Sequence, residues 1–279
     1  MTSRSGAGAG GPAISLTAEG LTAGYGRTPV LDGLDARIPA GSFTAIIGPN
    51  ACGKSTLLRA LSRLLPARSG RVLLGDSDIR GLSSRELARR VALLPQSPIT
   101  PEGITVGDLV GRGRFAHQGV LRQWSSQDER AVAAALAAAG VTDLAERQVD
   151  ELSGGQRQRA WIALTLAQET DVLLLDEPTT FLDIAHQVEV LELAVRLHEE
   201  GRTVVAVLHE LAMAARYATH LIAMRDGRII AQGEPRDVVT EQLLRDVFDL
   251  DARVIPDPDT GTPVVLPRAV RRTRELPSS

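Results

Sequence analysis

The chain has 279 residues, a formal net charge of -3 and 43% hydrophobic residues. That length suits one large domain or a core with a subdomain, the apolar content is ample for a core, and the charge gives no support for general nucleic-acid binding. No stretch approaches the ~20 apolar residues of a membrane helix, and with Cys52 as the single cysteine an intramolecular disulfide is excluded.

In chain order, residues 1–13 are rich in Ser, Gly and Ala and lack the apolar core of a signal peptide. They read as a flexible tail. Strand-like pieces at 15–17 and 37–39 come next. Residues 43–47 carry little charge and suit a buried strand. It runs into Gly48-Pro49-Asn50-Ala51-Cys52-Gly53-Lys54-Ser55-Thr56, which fits G-x-x-x-x-G-K-[ST] in full. A helix follows from Ser55. Glycines let a backbone turn tightly and approach a ligand closely, and successive N–H groups at a helix N-terminus converge on phosphate oxygens. Lys54 is expected to reach the β- and γ-phosphates, and the Ser55 hydroxyl to ligate Mg²⁺. Cys52, inside this loop, reads as a small residue that happens to be a thiol, with no redox role.

An Ala- and Leu-rich insert spans roughly 87–149. Within it, Ser126-Gln127-Asp128-Glu129 matches a capping box, leading a helix through Ala139 that stops at Gly140. Small Ser153, Gly154 and Gly155 then open a helix over 156–167. Asp171 to Leu175 is an apolar run suited to a strand buried on both faces, and it ends in Asp176 and Glu177. Ligands of open α/β sheets bind beyond the carboxyl ends of the strands. Beside a phosphate loop, Asp176 is therefore assigned to the Mg²⁺ shell and Glu177 to the attacking water as general base. Ile184, Val188, Leu191 and Val195 fall on one helical stripe, closed by Gly201. A strand over 204–208 leads to His209. His117, His186, His198 and His220 have no metal-ligand spacing; His186 and His198 read as helix surface residues.

Leu152-Ser153-Gly154-Gly155-Gln156, placed between the phosphate loop and the carboxylate strand, resembles the signature sequence of the ATP-binding subunits of ABC transporters. The resemblance covers roughly residues 16–235. It implies an α/β fold: a P-loop NTPase core of the ABC ATPase type with an antiparallel β subdomain and an inserted α-helical subdomain. The ATPase domain would span 14–250, with the helical subdomain at about 87–163, and 251–279 would be a C-terminal extension and tail. It also implies that ATP and Mg²⁺ lie between two such chains. Ser153, Gly154, Gly155 and Gln156 of one would face the γ-phosphate bound by residues 48–56 of the other. Tyr25 matches the aromatic that stacks on adenine. Gln96 matches a glutamine that touches both Mg²⁺ and the water, Asp183 an aspartate that crosses the dimer interface, and His209 a histidine that contacts the γ-phosphate. Glu177, His209 and Gln96 form the catalytic set so implied. Many members of the wider family carry Gly where this chain has Ala51. An ordinary negative φ is expected there, because Gly48 and Gly53 remain.

Residues 51–61, Pro95-Gln96-Ser97-Pro98, 111–118 and 181–187 are similar to the iron-chelate branch of ABC importers, and residues 260–267 to the close of ferric-siderophore import ATPases. That close also reads as a short hairpin or tail with no role in specificity. Arg268, Arg271, Arg272 and Arg274 read as a solvated basic tail. The function so implied is ATP hydrolysis at the cytoplasmic face of a membrane, as a peripheral motor for ferric-siderophore import. Its partners would be a second ATPase subunit, an integral permease and a substrate-binding protein, with no nucleic acid. Haem, cobalamin or another metal chelate stands as the alternative cargo. A DNA-repair or translation ATPase is a further alternative, against which stand the lack of sustained heptads and the presence of one phosphate loop only.

Overall fold

Apolar runs with no alternation build the centre of the molecule. The computed structural model describes residues 13–118, 124–180 and 182–268. In chain order it contains β1 (Leu16–Ala23), β2 (Leu31–Ile38), β3 (Phe43–Ile47), α1 (Lys54–Leu61), β4 (Ser69–Leu74), β5 (Ser77–Asp78), α2 (Ser84–Ala88) and β6 (Val91–Leu94). The helices α3 (Val106–Gly111), α4 (Ser126–Ala138) and α5 (Gly154–Ala167) follow, then β7 (Val172–Asp176), α6 (Ile184–Glu199), β8 (Thr203–Val207), α7 (Leu211–Tyr217), β9 (His220–Arg225) and β10 (Arg228–Gly233). The described chain closes with α8 (Pro235–Val238), α9 (Glu241–Phe248), β11 (Ala252–Pro256) and β12 (Pro263–Pro267).

Every residue of β3, β7 and β8 is buried, as strands covered on both faces of a parallel sheet must be. They lie inside a sheet of order β10-β9-β3-β8-β7-β6, parallel throughout except for β10. By contrast β1 alternates buried and less buried positions. It sits in a second, antiparallel sheet of order β2-β1-β4-β5. The two faces of the central sheet feed two cores. Phe43, Ala45 and Ile47 pack toward α3, α5 and α6, whereas Ile46, Leu174 and Val205 pack toward α1 and the antiparallel sheet. Among the described residues, no helix is long and apolar enough to cross a membrane.

Four expectations change. The sequence suggests a helical insert from about 87, but Val91–Leu94 is strand β6, bonded to β7 in the central sheet, so the helical arm begins beyond it; its last helix, α5, continues to Ala167. The capping box of α4 is Ser125 with Asp128, not Ser126 with Glu129. Asp128 sets this register by bonding both the Ser125 N–H and Arg114. Along α6 the buried face is Val190, Leu191, Leu193, Ala194 and Leu197, while Ile184 is 73% exposed; packing against β8 rotates the helix away from the stripe that periodicity suggests. His198 is not a plain surface residue, because its Nδ1 donates to the Gly41 carbonyl before β3. The C-terminal segment forms the antiparallel β11–β12 hairpin against α7 and α9, and Arg271, Arg272 and Arg274 lie outside the described residues.

One charged side chain ties the helices of the arm together. Arg114, in a short 3₁₀ turn (Arg112–Ala116), is 1% exposed. Its Nε donates to Asp128 Oδ1 at 2.9 Å, and its Nη1 donates to the Ala167 carbonyl and to Glu169 Oε2, each at 2.7 Å. Gly113 lets that turn come close, since a Cβ there would lie 2.5 Å from the Leu164 carbonyl oxygen of α5. The Ser125 hydroxyl outweighs the upward push of burial and, with Arg114, brings the Asp128 carboxyl from 3.8 to about 2. Removing one partner of a buried pair leaves an uncompensated charge, so Arg114→Met is expected to lower unfolding free energy by roughly 3–5 kcal/mol. The Asp128 value is depressed on folding chiefly by Ser125, so the share of this stabilisation that comes from the Arg114–Asp128 pair is complete above pH 3.8 and fades as pH falls toward about 2, while the Arg114 bond to the Ala167 carbonyl persists. Urea midpoints of the two proteins should therefore differ most at neutral pH and draw closer, without meeting, on acidification.

Candidate active site

The phosphate loop links β3 to α1 and is shaped by close approaches. Gly48 has φ 150°, and a Cβ there would sit 2.2 Å from the Met224 carbonyl oxygen, so only glycine fits. Gly53 caps α1 with φ 106°. Lys54 is 5% exposed, and its Nζ donates to the carbonyls of Gly48 at 2.9 Å and Pro49 at 2.8 Å. The loop thus curls around its own ammonium. Ala51, expected at ordinary φ, instead has φ 61°. The curl imposes a left-handed residue in the middle of the loop, and neither Gly48 nor Gly53 relieves it. Cys52 is buried, and burial pushes its thiol up, leaving little reactive thiolate.

Three parallel strands bring the acidic groups to this loop. Val207 pairs with Ile46 on one side and Asp176 on the other. The ends of β3, β8 and β7 are therefore level. Asp176, 1% exposed, accepts from the Ser55 hydroxyl at 2.8 Å. Burial raises its pKa, and the Ser55 bond only partly offsets this. A buried carboxylate beside a hydroxyl, two oxygen donors, suits a hard cation that also takes phosphate oxygens.

Glu177 follows with φ 55°. Its Oε2 accepts from Gln96 Nε2 at 2.6 Å and Thr180 Oγ1 at 3.1 Å, and lies 2.7 Å from His209 Nε2. Burial pushes this carboxyl up, but the donors, His209 foremost, outweigh it and hold the pKa below the ordinary value. Gln96 lies just past β6 and His209 just past β8, so residues from two neighbouring strand exits meet the carboxylate carried by a third. Together with residues of the phosphate loop they line an open cleft of about 600 Å³. Here Gln96 bonds Glu177, with no bond to Ser55 or Asp176.

The remaining expected positions lie outside that lining. Tyr25 is 49% exposed, and its hydroxyl accepts from Arg59 Nη1 at 2.7 Å, a contact no motif announced. Ser153 caps α5, its hydroxyl accepting from the Gln156 N–H at 3.3 Å while Gln156 Oε1 accepts from the Ser153 N–H at 3.1 Å. Ser153 and Gly154 are exposed. Asp183 caps α6, accepting from the His186 N–H at 2.9 Å and facing His186 Nδ1 at 2.6 Å. The His186 ring in turn lies over Gly155, within 3.3 Å of where a Cβ would stand. His186, read as a surface residue, thus brings Asp183 and the start of α5 together within one chain.

A phosphate loop, a level carboxylate strand and a gripped glutamate define a nucleotide-hydrolysing α/β ATPase. Residues 31–180 match the family model described as ABC transporter. The chain is 54% identical over 253 residues to the ferric enterobactin transport ATP-binding protein FepC of Escherichia coli (strain K12), covering 90% of this chain and 93% of that protein. It is 52% identical over 263 residues to the petrobactin import ATP-binding protein FpuD of Bacillus anthracis, covering 94% and 96%. Among solved structures it superposes with TM-score 0.78 and 28% identity on an ABC transporter described as metal-chelate type in an inward-facing conformation, covering 92% and 98%. With TM-score 0.70 and 27% identity it superposes on a dimeric ATP-binding cassette, MJ0796, bound to ADP and Pi, covering 78% and 98%. The chain belongs to the ABC transporter family of ATP-binding proteins.

The strain at Ala51 is testable. A left-handed alanine costs roughly 1–2 kcal/mol, so Ala51→Gly is expected to raise stability by up to about 1 kcal/mol once the greater unfolded-state freedom of glycine is subtracted. Chemical denaturation of both proteins without nucleotide measures it.

Proposed function

We propose that this chain is the ATP-hydrolysing subunit of an importer of ferric siderophores. The observation that carries the ATPase reading is the convergence of Lys54, the Ser55–Asp176 pair and the gripped Glu177 on one cleft. The cargo reading rests on relatives of 54% and 52% identity that are named for ferric enterobactin and petrobactin transport, and they favour a siderophore over haem or cobalamin.

In this reading the amides of Gly48 to Thr56 cradle the phosphates, and Lys54 exchanges the Gly48 and Pro49 carbonyls for β- and γ-phosphate oxygens. Ser55, Asp176 and Gln96 would hold Mg²⁺, which when bound would neutralise charge on the β- and γ-phosphates. Glu177 accepts a proton from water as its oxygen attacks the γ-phosphorus and the bond to ADP breaks. His209 orients Glu177 and contacts the γ-phosphate, and Tyr25 stacks on adenine. Ser153, Gly154, Gly155 and Gln156 of a second copy cover the γ-phosphate, with Asp183 crossing the interface. ATP binds the closed pair better than the open one, and that difference in affinity drives the permease from one state to another. A substrate-binding protein delivers the chelate on the far side. The chain itself is a peripheral subunit on the cytoplasmic face.

Glu177→Gln should still bind ATP, turn over at least about 10²-fold more slowly, and trap a dimer in ATP. Cells carrying only this variant should lose uptake of radiolabelled ferric siderophore. Wild-type turnover would remove Glu177 from the role of base, and normal uptake with dead ATPase would remove the cargo assignment. Lys54→Ala should lose ATP affinity in equilibrium titration; unchanged binding would contradict the phosphate-loop roles.

A further inference from the structure

Two arginines distant in sequence hold the loop between β1 and β2. That loop carries Tyr25 and runs beside the phosphate loop: Val30 at its end lines the cleft, and a Cβ on Gly53 would lie 3.4 Å from Val30 Cγ1. The turn is tight, since a Cβ on Gly24 would stand 2.6 Å from both the Thr28 carbonyl oxygen and the Val30 nitrogen. Arg68, between α1 and β4, donates from Nη1 to the Arg27 carbonyl at 2.8 Å. Its Nη2 donates to the carbonyls of Gly26 at 2.7 Å and Thr28 at 3.2 Å. Arg59, in the last turn of α1, holds the tip of Tyr25 through the phenolic oxygen. We propose that Arg68 and Arg59 are positioning residues that set Tyr25 in place as a platform for the adenine ring before ATP arrives. This rests on the reading of Tyr25 as the stacking aromatic.

Three consecutive carbonyls on one guanidinium is a contact suited to the planar fork of arginine and not to the point charge of lysine. It fixes residues 26–28, on the far side of Tyr25 from β1. On the near side the Arg68 N–H donates to the Thr22 carbonyl of β1 at 2.8 Å. Tyr25 is thus anchored along the backbone in both directions and once more at its side-chain tip. The hydroxyl is held at the edge of the ring and the residue stays 49% exposed, so ring surface remains for a base to stack on. Without these bonds a short loop would spread over many conformations. Apparent affinity falls with the fraction of time a site is competent, which is what ordering in advance removes. Among the described residues neither arginine side chain has another hydrogen-bond partner, so their bonds serve this loop alone.

The test compares two ligands on the purified full chain by equilibrium titration: ATP, and inorganic tripolyphosphate, which has no base. Arg68→Met is expected to raise the Kd for ATP about three- to tenfold, as for a platform competent only part of the time, and to leave the Kd for tripolyphosphate unchanged. Steady-state hydrolysis should show the matching split, a higher KM for ATP with kcat retained at saturation. Tyr25→Phe removes the oxygen that Arg59 holds and leaves every backbone bond of the loop in place. It should weaken ATP in the same selective way, and it keeps the proposal testable should Arg68→Met fold poorly. Tyr25→Ala, which removes the ring, is the reference for stacking. Wild-type ATP affinity in either positioning variant, beside weakened ATP binding by Tyr25→Ala, would overturn the proposal and leave the stacking reading standing. Equal weakening of ATP and tripolyphosphate would overturn it as damage to the phosphate loop. Wild-type ATP affinity in Tyr25→Ala would overturn the stacking reading itself.

Discussion

The ladder that locks β3, β8 and β7 in register is the constraint on which the site depends. Parallel pairing of Ile46 with Val207 and of Val207 with Asp176 leaves three strand exits at one height. A slip of one residue would turn every side chain to the opposite face and carry Asp176 away from the Ser55 hydroxyl. Asp176 meets the Ser55 hydroxyl only because β7 stops level with the phosphate loop. Gln96 and His209 reach Glu177 for the same reason, each leaving its strand within two residues of the sheet's edge. The chemistry is assembled by hydrogen bonds between strands, far more than by any contact among the reactive groups.

Two cores meet at this one sheet, and they hold the site in different ways. On the face of α1, Leu57, Leu58 and Leu61 are fully buried against the antiparallel strands, which pins the helix whose N-terminus forms the phosphate loop. On the other face, α5 and α6 pack on the strands that deliver Asp176 and His209. The helical arm reaches the sheet largely through α5, with Arg114 closing the gap between α4 and the C-terminal end of that helix. An ion pair at such a joint depends on geometry as a greasy contact does not.

What could be read from the residues followed local chemistry. Runs such as Val172 to Leu175 bury both faces wherever they are placed, and the phosphate loop shapes its own turn. The positions that escaped reading are settled by atoms distant in sequence. Ala51 is left-handed because the loop closes around the Lys54 ammonium. The α4 cap uses Ser125 because Arg114 already holds Asp128. Ile184 is exposed because α6 meets β8 along a face rotated from its own apolar stripe. Tyr25 pairs with Arg59, 34 residues away, and neither residue type advertises the other. The three donors on Glu177 are of the same kind: each residue type is ordinary, and only the level strand ends and a tight turn make them one cluster.

The cleft is walled by the phosphate loop, the strand exits and Val30 before β2, while Ser153 and Asp183 stand outside it at exposed helix N-termini. Helix N-termini carry partial positive charge and unpaired amides that favour an anion. In this chain the Ser153 hydroxyl and the Gln156 side chain satisfy two of those groups reciprocally, which keeps the end ordered without filling it. A triphosphate gripped at the loop is so far contacted from one side only. The proposed second copy supplies the other side, and ABC ATPases of importers work as such pairs with a membrane permease. The short path from Gln158 on α5, through the Pro178 carbonyl, to the left-handed Glu177 then acquires a meaning. The helix that would feel a partner's γ-phosphate at its N-terminus is the helix that, one turn later, braces the residue proposed to activate water in its own chain.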